Sequence, residues 1–217
     1  MDRIRKQLKK FSDAASDSEN PLSWFETLYE HANGDNEWIP WSKGDVNPFL
    51  KEWINSEHQV GNALVVGCGL GEDAAYLTNM GWRVTAFDLS PSAIEWAKKI
   101  YSELNIDWQV ADLTSPPEKW FNKFDLVVEV HILQAIPENI RINAAPNLAK
   151  FVSQDGHLIC IGRIDEFGED VDGPPWPLDR LFIQSIGQNL KEIQYYCKRL
   201  DGDEENILRY CSVWKNL

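Results

Sequence analysis

Three glycines at alternate positions, Gly67, Gly69 and Gly71, close the apolar run from Ala63 to Val66 and are followed at once by two acids, Glu72 and Asp73. Glycine at such a bend lets backbone approach a ligand closely and adopt conformations that other residues avoid. The dinucleotide fingerprint G-x-G-x-x-G would need glycine where Glu72 stands, so the spacing here, G-x-G-x-G, is a different one. A pyrophosphate binds a helix start through free N–H groups and the positive end of the helix dipole. Glu72 and Asp73 occupy that place and repel it, whereas a ligand with a neutral ribose and a cationic head is compatible with them. Either acid taken singly also fits a role in complementing the dipole of a first helical turn.

Further acids stand where strands end. Asp88 lies 17 positions beyond Gly71, near the offset of about 20 residues at which an acid meets ribose hydroxyls in βαβ nucleotide sites. Asp112 follows a third strand in "VADL", where side chain and main chain can read an adenine edge, and Glu129 with Val130 ends a fourth. Each acid alone fits a cap or a solvated loop; together with the glycine loop they form one constellation. His131 comes next in the chain, placed to orient or deprotonate a substrate, or else to sit satisfied beneath a lid. Cys68, between two glycines, reads as packed rather than nucleophilic.

These residues need strands and helices to hold them. "NALVV" reads as a buried strand, "EDAAYLTNM" as a helix and "WRVTAFD" as a strand. "PSAIEWAKKIYSEL" is a helix with Ser90 as its cap and Pro91 in its first turn. "IDWQV" and "FDLVVEVHIL" are strands, and the helix "PENIRINAAPNLAKFV" leads into the strand "GHLICIGRI". Such alternation calls for a doubly wound parallel sheet covered on both faces. The chain ends differently, in two β-rich runs, "LKEIQYYCKRL" and "NILRYCSVWKNL", joined by the acidic turn "DGDEE", which implies an antiparallel hairpin. Near the start, Ile4, Leu8 and Phe11 follow helical spacing, "SDAASDSEN" is a polar break, and Pro21 to Ile54 is dense in aromatics that must pack on something. Within it, Pro48 opens a helix to about Ser56.

Composition narrows the partners. Of 217 residues, 21 are basic and 34 acidic, a formal charge of -13 that repels phosphate backbones and anionic lipid headgroups. Nucleic acid and membrane are therefore not expected partners, and no apolar run approaches the ~20 residues of a membrane span. Cys68, Cys160, Cys197 and Cys211 lack any C-x-x-C spacing and read as reduced thiols of a cytoplasmic protein, with no metal site.

Taken together, "VVGCGLGEDAAYL", "GWRVTAFDLSPSAIEWA" and the upstream "PWSKGDVNPFL" resemble the class I S-adenosylmethionine-dependent methyltransferases. Within that class they are similar to the thiopurine, halide and thiol methyltransferase group and its tellurite-resistance-like relatives, whose signature Pro-Trp-x-x-Gly-x-x-x-Pro matches Pro40 to Pro48. The resemblance covers about residues 38 to 165. It implies a seven-stranded, mostly parallel Rossmann-like sheet with one antiparallel strand near its edge, and S-adenosyl-L-methionine as cofactor with S-adenosyl-L-homocysteine as product. It further implies that Trp41 lies over the cofactor and that Gly67, Cys68 and Gly69 pass its methionyl part. Asp88 with Leu89 would take the ribose, Asp112 and Leu113 the adenine, and Glu129 with Val130 would lie near the methionyl end. The division expected is a helical and aromatic cap, 1–45, over a methyltransferase domain, 46–217, as a monomer or weak dimer. Two positions depart from related patterns: Val65 stands where many class I enzymes have an acid, and Val130 where mammalian-type thiopurine enzymes have arginine.

Methyl transfer from a sulfonium is an in-line displacement with a neutral leaving group, so alignment in a dry pocket is the main requirement. A thiolate or halide needs no base, whereas an alcohol or amine can need one. The chain has no Asn/Asp-Pro-Pro-Tyr/Phe/Trp motif of base amino-group methylation, which favours a small-molecule acceptor with a soft atom. The alternatives are an O- or N-methyltransferase of a small metabolite, a nicotinamide oxidoreductase and a cofactor-holding protein without turnover. A lid is expected from the aromatic N-terminal segment, "VHILQAIP" and "GEDVDGPPWPLDR", with Trp176 as a wall or a packed loop aromatic. Arg163, Asp172 and Arg180 are surface charges within reach of a substrate.

Overall fold

The structure, a computed structural model, describes residues 2–16, 18–56, 59–166, 168, 171, 173–204 and 207–217, without the side chains of residues 2 and 5. Asp172 lies outside the described residues. In chain order the elements are α1 (Asp2–Ser16), α2 (Trp24–Ala32), α3 (Pro48–Ser56), β1 (Asn62–Val66), α4 (Glu72–Asn79), β2 (Arg83–Asp88) and α5 (Pro91–Ile100). They continue with β3 (Asp107–Val110), β4 (Phe124–Val130), α6 (Glu138–Phe151), β5 (Val152–Arg163), α7 (Arg180–Ile186), β6 (Lys191–Lys198) and β7 (Arg209–Lys215).

The strands form one seven-stranded sheet in the order β3-β2-β1-β4-β5-β7-β6. β1, β2, β3, β4 and β5 run parallel. β7 is inserted antiparallel between β5 and β6, so the terminal hairpin read from the sequence closes one side of the sheet. Strand order reverses between β1 and β4, and in doubly wound sheets the crevice at that switch, at the strand C-terminal ends, is where ligands bind.

Strand side chains alternate between two buried faces, which is why the parallel strands are apolar throughout. Leu64, Val66, Phe87, Val127, Leu158 and Tyr210 face α6 and α7, packing on Ala145, Leu148, Phe151, Ile183 and Ile186. Ala63, Val65, Ala86, Val128, Ile159 and Val213 face α3 and α4, packing on Phe49, Leu50, Trp53, Ala74 and Leu77. Each such Val, Leu or Phe side chain contributes about 1.5–3 kcal/mol on burial. A third cluster joins the N-terminal segment to the body: Ala15, Trp24, Leu28, Tyr29 and Ile39 pack with Leu70 and Ala93. The dense aromatics thus bury themselves against α5 and the glycine loop.

Helix ends follow local chemistry. Ser90 Oγ accepts from Ala93 N at 3.0 Å with Pro91 in the first turn of α5, and Asn47 Oδ1 accepts from Phe49 N at 3.0 Å at the start of α3. Three elements differ from the sequence reading. α1 runs through the expected polar break to Ser16, because Ala15 still finds an apolar surface. α2 forms where only an aromatic-rich segment was legible. α7 starts inside the expected lid loop, with Asp179 accepting from Phe182 N at 2.8 Å.

Candidate functional site

After β1 the chain bends through Gly67, Gly69 and Gly71 at φ of 59°, 53° and 93°, the left-handed region that disfavours side chains. A Cβ at Gly69 would stand 3.1 Å from the Tyr29 hydroxyl and 3.7 Å from Trp41 Nε1, and one at Gly67 would meet Ile132 at 2.3 Å. The bend is locked to the end of β2. Cys68 N donates to the Phe87 carbonyl at 2.8 Å, and Gly69 N donates to Asp88 Oδ2 at 2.9 Å. Asp88 Oδ1 accepts from Ser90 N at 2.9 Å. Asp88 is buried, and burial lifts its carboxyl above the ordinary range against the pull of those N–H groups. The Leu89 N–H also faces the carboxylate, so three of its roughly four acceptor positions have backbone partners. Leu89 beside it is half-buried.

Ala111 N donates to the Asp88 carbonyl at 3.0 Å, which brings the loop after β3 alongside. There Asp112 Oδ1 accepts from Thr114 N at 2.7 Å and Thr114 Oγ1 at 2.8 Å, while Leu113 is buried and its carbonyl accepts from Asn147 Nδ2 at 2.8 Å. The structure therefore brings together the glycine loop, Asp88 and Asp112 on adjacent strand ends. Glu129 points toward the α6 face: its Oε1 accepts from Leu133 N at 3.0 Å. Its Oε2 has no hydrogen-bond partner, and the Cys160 thiol lies alongside. Burial pushes the Glu129 carboxyl up to about 7. Val130 faces the opposite side of the sheet.

His131 departs from the role of a base. Its φ is 63°, and both ring nitrogens are engaged: Nδ1 with Gln134 Oε1 at 3.0 Å and Nε2 with Arg209 Nη1 at 3.1 Å. A guanidinium only donates, so Nε2 accepts, the proton sits on Nδ1, and the ring is neutral. Burial, with the Arg209 charge, pushes its pKa down to about 4. Arg209 in turn holds Asp203 through Nε at 2.8 Å and Nη2 at 2.7 Å. Gln134, fully buried, joins two expected lid pieces. Its amide accepts from Arg163 N at 2.6 Å and donates to the carbonyls of Arg163 at 2.6 Å and Trp176 at 3.2 Å. Those backbone partners fix which end of the amide is oxygen. Arg180 is spent elsewhere, in an ion pair with Glu192 at 2.5 Å and over the Tyr195 ring.

The N-terminal segment packs beside the glycine bend. Trp41 Nε1 donates to the Tyr29 hydroxyl at 3.1 Å, and Trp41 remains partly exposed while Tyr29 is buried. Glu26 on α2 reaches the start of α5, accepting from Ser90 Oγ at 2.5 Å, Ser92 Oγ at 2.7 Å and Ser92 N at 3.2 Å. Glu72 and Asp73 have a mechanical duty the sequence did not disclose. Glu72 Oε1 accepts from Ser42 Oγ and from Gly44 N at 3.3 Å, and Asp73 Oδ1 accepts from Asn47 N at 2.8 Å. They bind the segment that carries Trp41 rather than waiting for a cationic ligand. Burial pushes the Asp73 carboxyl up to about 6. Tyr29, Glu26, Gln134 and Arg209 had no local sequence signal, since each makes a contact that shapes the site with a residue 12 to 78 positions away.

A surface hollow of about 520 Å³, lined by residues including Asn62, Trp82, Arg83 and Lys123, opens at the opposite ends of the strands and takes no part in this constellation. Among the described residues no helix is long and apolar enough to cross a membrane.

A family model described as a methyltransferase domain matches residues 63–156, the span from β1 to the start of β5 that holds these strand ends. The chain is 26% identical over 159 residues to thiocyanate methyltransferase 1 of Arabidopsis thaliana, covering 67% of this chain and 64% of the relative. It is 24% identical over 139 residues to the 2-heptyl-1-hydroxyquinolin-4(1H)-one methyltransferase of Mycobacteroides abscessus, covering 62% and 61%. It thus spans less than two thirds of the length of either relative. In fold it is similar, at a TM-score of 0.73 and 18% identity, to the structure reported for conversion of a disulfide bond into a thioacetal group during echinomycin biosynthesis, covering 89% of this chain and 91% of that one. With the glycine bend locked to Asp88 at the switch of a seven-stranded sheet, these similarities support a class I S-adenosylmethionine-dependent methyltransferase domain, similar to the thiocyanate and thiol methyltransferases.

Proposed function

We propose that this protein transfers the methyl group of S-adenosyl-L-methionine to a small-molecule acceptor whose attacking atom is soft: a thiol, sulfide, halide or other chalcogen. The observation that carries the reading is the crevice at the β1–β4 switch. Its glycine bend runs close beneath the Tyr29 hydroxyl, and the buried Asp88 carboxylate stands beside it. Those features fit the cofactor. Gly67, Cys68 and Gly69 lie along its methionyl part, Asp88 with Leu89 accepts from the ribose hydroxyls, and Asp112 with Leu113 borders the adenine. Val130 lines the methionyl end, and Glu129 acts there by holding the backbone of the 131–133 loop. Trp41, tied down through Glu72 and Asp73, covers the site and excludes water. Residues 1–45 act in this reading as a cap on 46–217.

When bound, the cofactor supplies an activated methyl on a sulfonium that leaves as a neutral thioether. The chain then has to align the acceptor and keep the site dry. His131 offers no lone pair for a proton, since both nitrogens are engaged, and this favours acceptors that are anionic or readily deprotonated. The similarity to a thiocyanate methyltransferase points the same way. The test is a product screen by mass spectrometry with thiols, sulfide, iodide and selenium compounds. Methylated sulfur, selenium or halide is expected, and products methylated only at oxygen would overturn the soft-atom assignment.

The second reading is methylation of a hydroxyl. It is favoured by the similarity to the hydroxyquinolone enzyme. Calorimetric titration with S-adenosylhomocysteine and NADH separates both from a nicotinamide enzyme. The same reading takes the protein to be cytoplasmic and a monomer or weak dimer, which cell fractionation and sedimentation check.

A further inference from the structure

The cap holds a hydrogen-bond donor with nowhere to put its proton. Tyr29 is only 3% exposed, and its hydroxyl oxygen accepts from Trp41 Nε1 at 3.1 Å. With that lone pair engaged, the O–H of Tyr29 is directed away from Trp41, and among the described residues no acceptor receives it. The oxygen stands 3.1 Å from the point a Cβ would occupy at Gly69, so the donor overhangs the glycine bend itself. The phenol keeps its proton: burial, Asp88 and Glu72 all hold its pKa well above the ordinary range. Edge contacts with Trp41 at 6.3 Å and Trp96 at 6.5 Å fix the ring. A buried donor without an acceptor costs about 1–3 kcal/mol, and such an atom facing a ligand crevice is expected to be satisfied by the ligand.

We infer that Tyr29 is a cofactor-binding residue, its phenol O–H donating to the α-carboxylate of the methionyl part as that part passes over Gly69. The assignment rests on the crevice holding S-adenosylmethionine. The ligand's chemistry selects the atom. Its ribose hydroxyls meet their need by donating to Asp88, and its ammonium is itself a donor. Its carboxylate, in a crevice walled by Asp88 and Glu72, must be met by a donor there, and Tyr29 is the buried one available. Trp41 acts through Tyr29, as the positioning residue that turns the proton toward the bend.

The test is calorimetric binding of two ligands by the full chain: S-adenosylhomocysteine, and 5′-methylthioadenosine, which keeps adenine, ribose and thioether but lacks the amino-acid portion. Tyr29→Phe keeps the ring and removes the donor. It should weaken S-adenosylhomocysteine about 10- to 100-fold, the worth of a hydrogen bond to a charged group, and leave methylthioadenosine within about two-fold. Equal weakening of both ligands would overturn the assignment in favour of a ribose contact or general packing, and unchanged affinity for both would overturn it outright. Failure of the unmodified protein to bind either ligand would sink the cofactor reading itself. Should the variant fold poorly, decarboxylated S-adenosylhomocysteine, which retains the amine, serves with the wild-type protein. It should bind about 10-fold or more weaker than the parent ligand, and equal affinity would refute the contact.

Discussion

Replacing Glu129 with Gln should change how stability depends on pH more than it changes stability itself. Glu129 is 1% exposed; one oxygen is held by Leu133 N and the other has no partner. Its carboxyl is raised from the ordinary 4.5 to about 7 by burial. A group that binds its proton more tightly when folded gives stability that is present below the unfolded pKa and lost as pH rises through the folded one. At about 1.4 kcal/mol per pH unit, the whole loss for Glu129 is about 3 kcal/mol. Integrated from about pH 6 to about pH 7.5, where most of the carboxyl ionises, it is about 1 kcal/mol. Gln keeps the oxygen that Leu133 N needs and carries no charge, so the variant should gain about 1 kcal/mol on wild type across that interval. Asp73, raised to about 6, and His131, lowered to about 4, also titrate, Asp73 losing stability with rising pH and His131 gaining it. Both are present in each protein and cancel in the difference. Urea unfolding of the pair at closely spaced pH values measures it, and curves that stay parallel would show that Glu129 does not titrate there and refute the reasoning.

Three further outcomes follow from the same geometry. Asp88→Asn leaves one oxygen for two backbone donors, Gly69 N and Ser90 N; it should cost about 1–3 kcal/mol in urea unfolding and weaken S-adenosylhomocysteine in calorimetry, and unchanged stability would contradict the lock. Gly69→Ala places a methyl at φ 53° and 3.1 Å from the Tyr29 hydroxyl; strain of about 1–2 kcal/mol and loss of cofactor affinity are expected, visible as a lower melting temperature that added S-adenosylhomocysteine no longer raises. Arg209→Met frees Nε2 of His131, so an NMR titration of the ring should find its pKa above about 4 but still below 6.5, because burial is the larger cause; an unmoved value would mean that Arg209 does not set the tautomer.

The parallel part of the fold was legible because each face of each strand is buried, so runs such as "NALVV" and "FDLVVEV" carry the signal within a few residues. Pro48, Ser90 and Pro91 marked helix starts by chemistry that is equally local. α2 was not legible: its burial is created by α5 and Leu70, distant in sequence, and its polar positions Glu26 and Glu30 break up the apolar pattern. The strand-end residues Asp88, Asp112 and Glu129 could be found because their places follow from the strands. What each does could not be found in the same way. His131 looked like a base from its position after β4, yet its chemistry is decided by Arg209, 78 positions away. Glu72 and Asp73 looked like electrostatic selectors, and their partners Ser42, Gly44 and Asn47 lie upstream in a segment with no regular period.

The acids around the crevice obey one rule that explains why their charge misled. Glu26, Glu72, Asp73, Asp88, Asp112 and Glu129 each accept a backbone N–H, from Ser92, Gly44, Asn47, Gly69, Thr114 and Leu133 respectively. Loops at strand ends have unpaired donors, and a buried donor must be satisfied. A short carboxylate satisfies two at once, so an acidic rim is the material from which this rim is built. A pyrophosphate is disfavoured for the same reason: at the glycine bend the Gly69 N–H is taken by Asp88, and the Cys68 and Gly71 N–H groups by the Phe87 and Cys68 carbonyls, while the negative charge remains. A ligand suited to such a rim donates to the carboxylates. The constraint on the ligand is thus set by which lone pairs and protons the loops leave over, more than by the net charge of -13 that the whole chain carries.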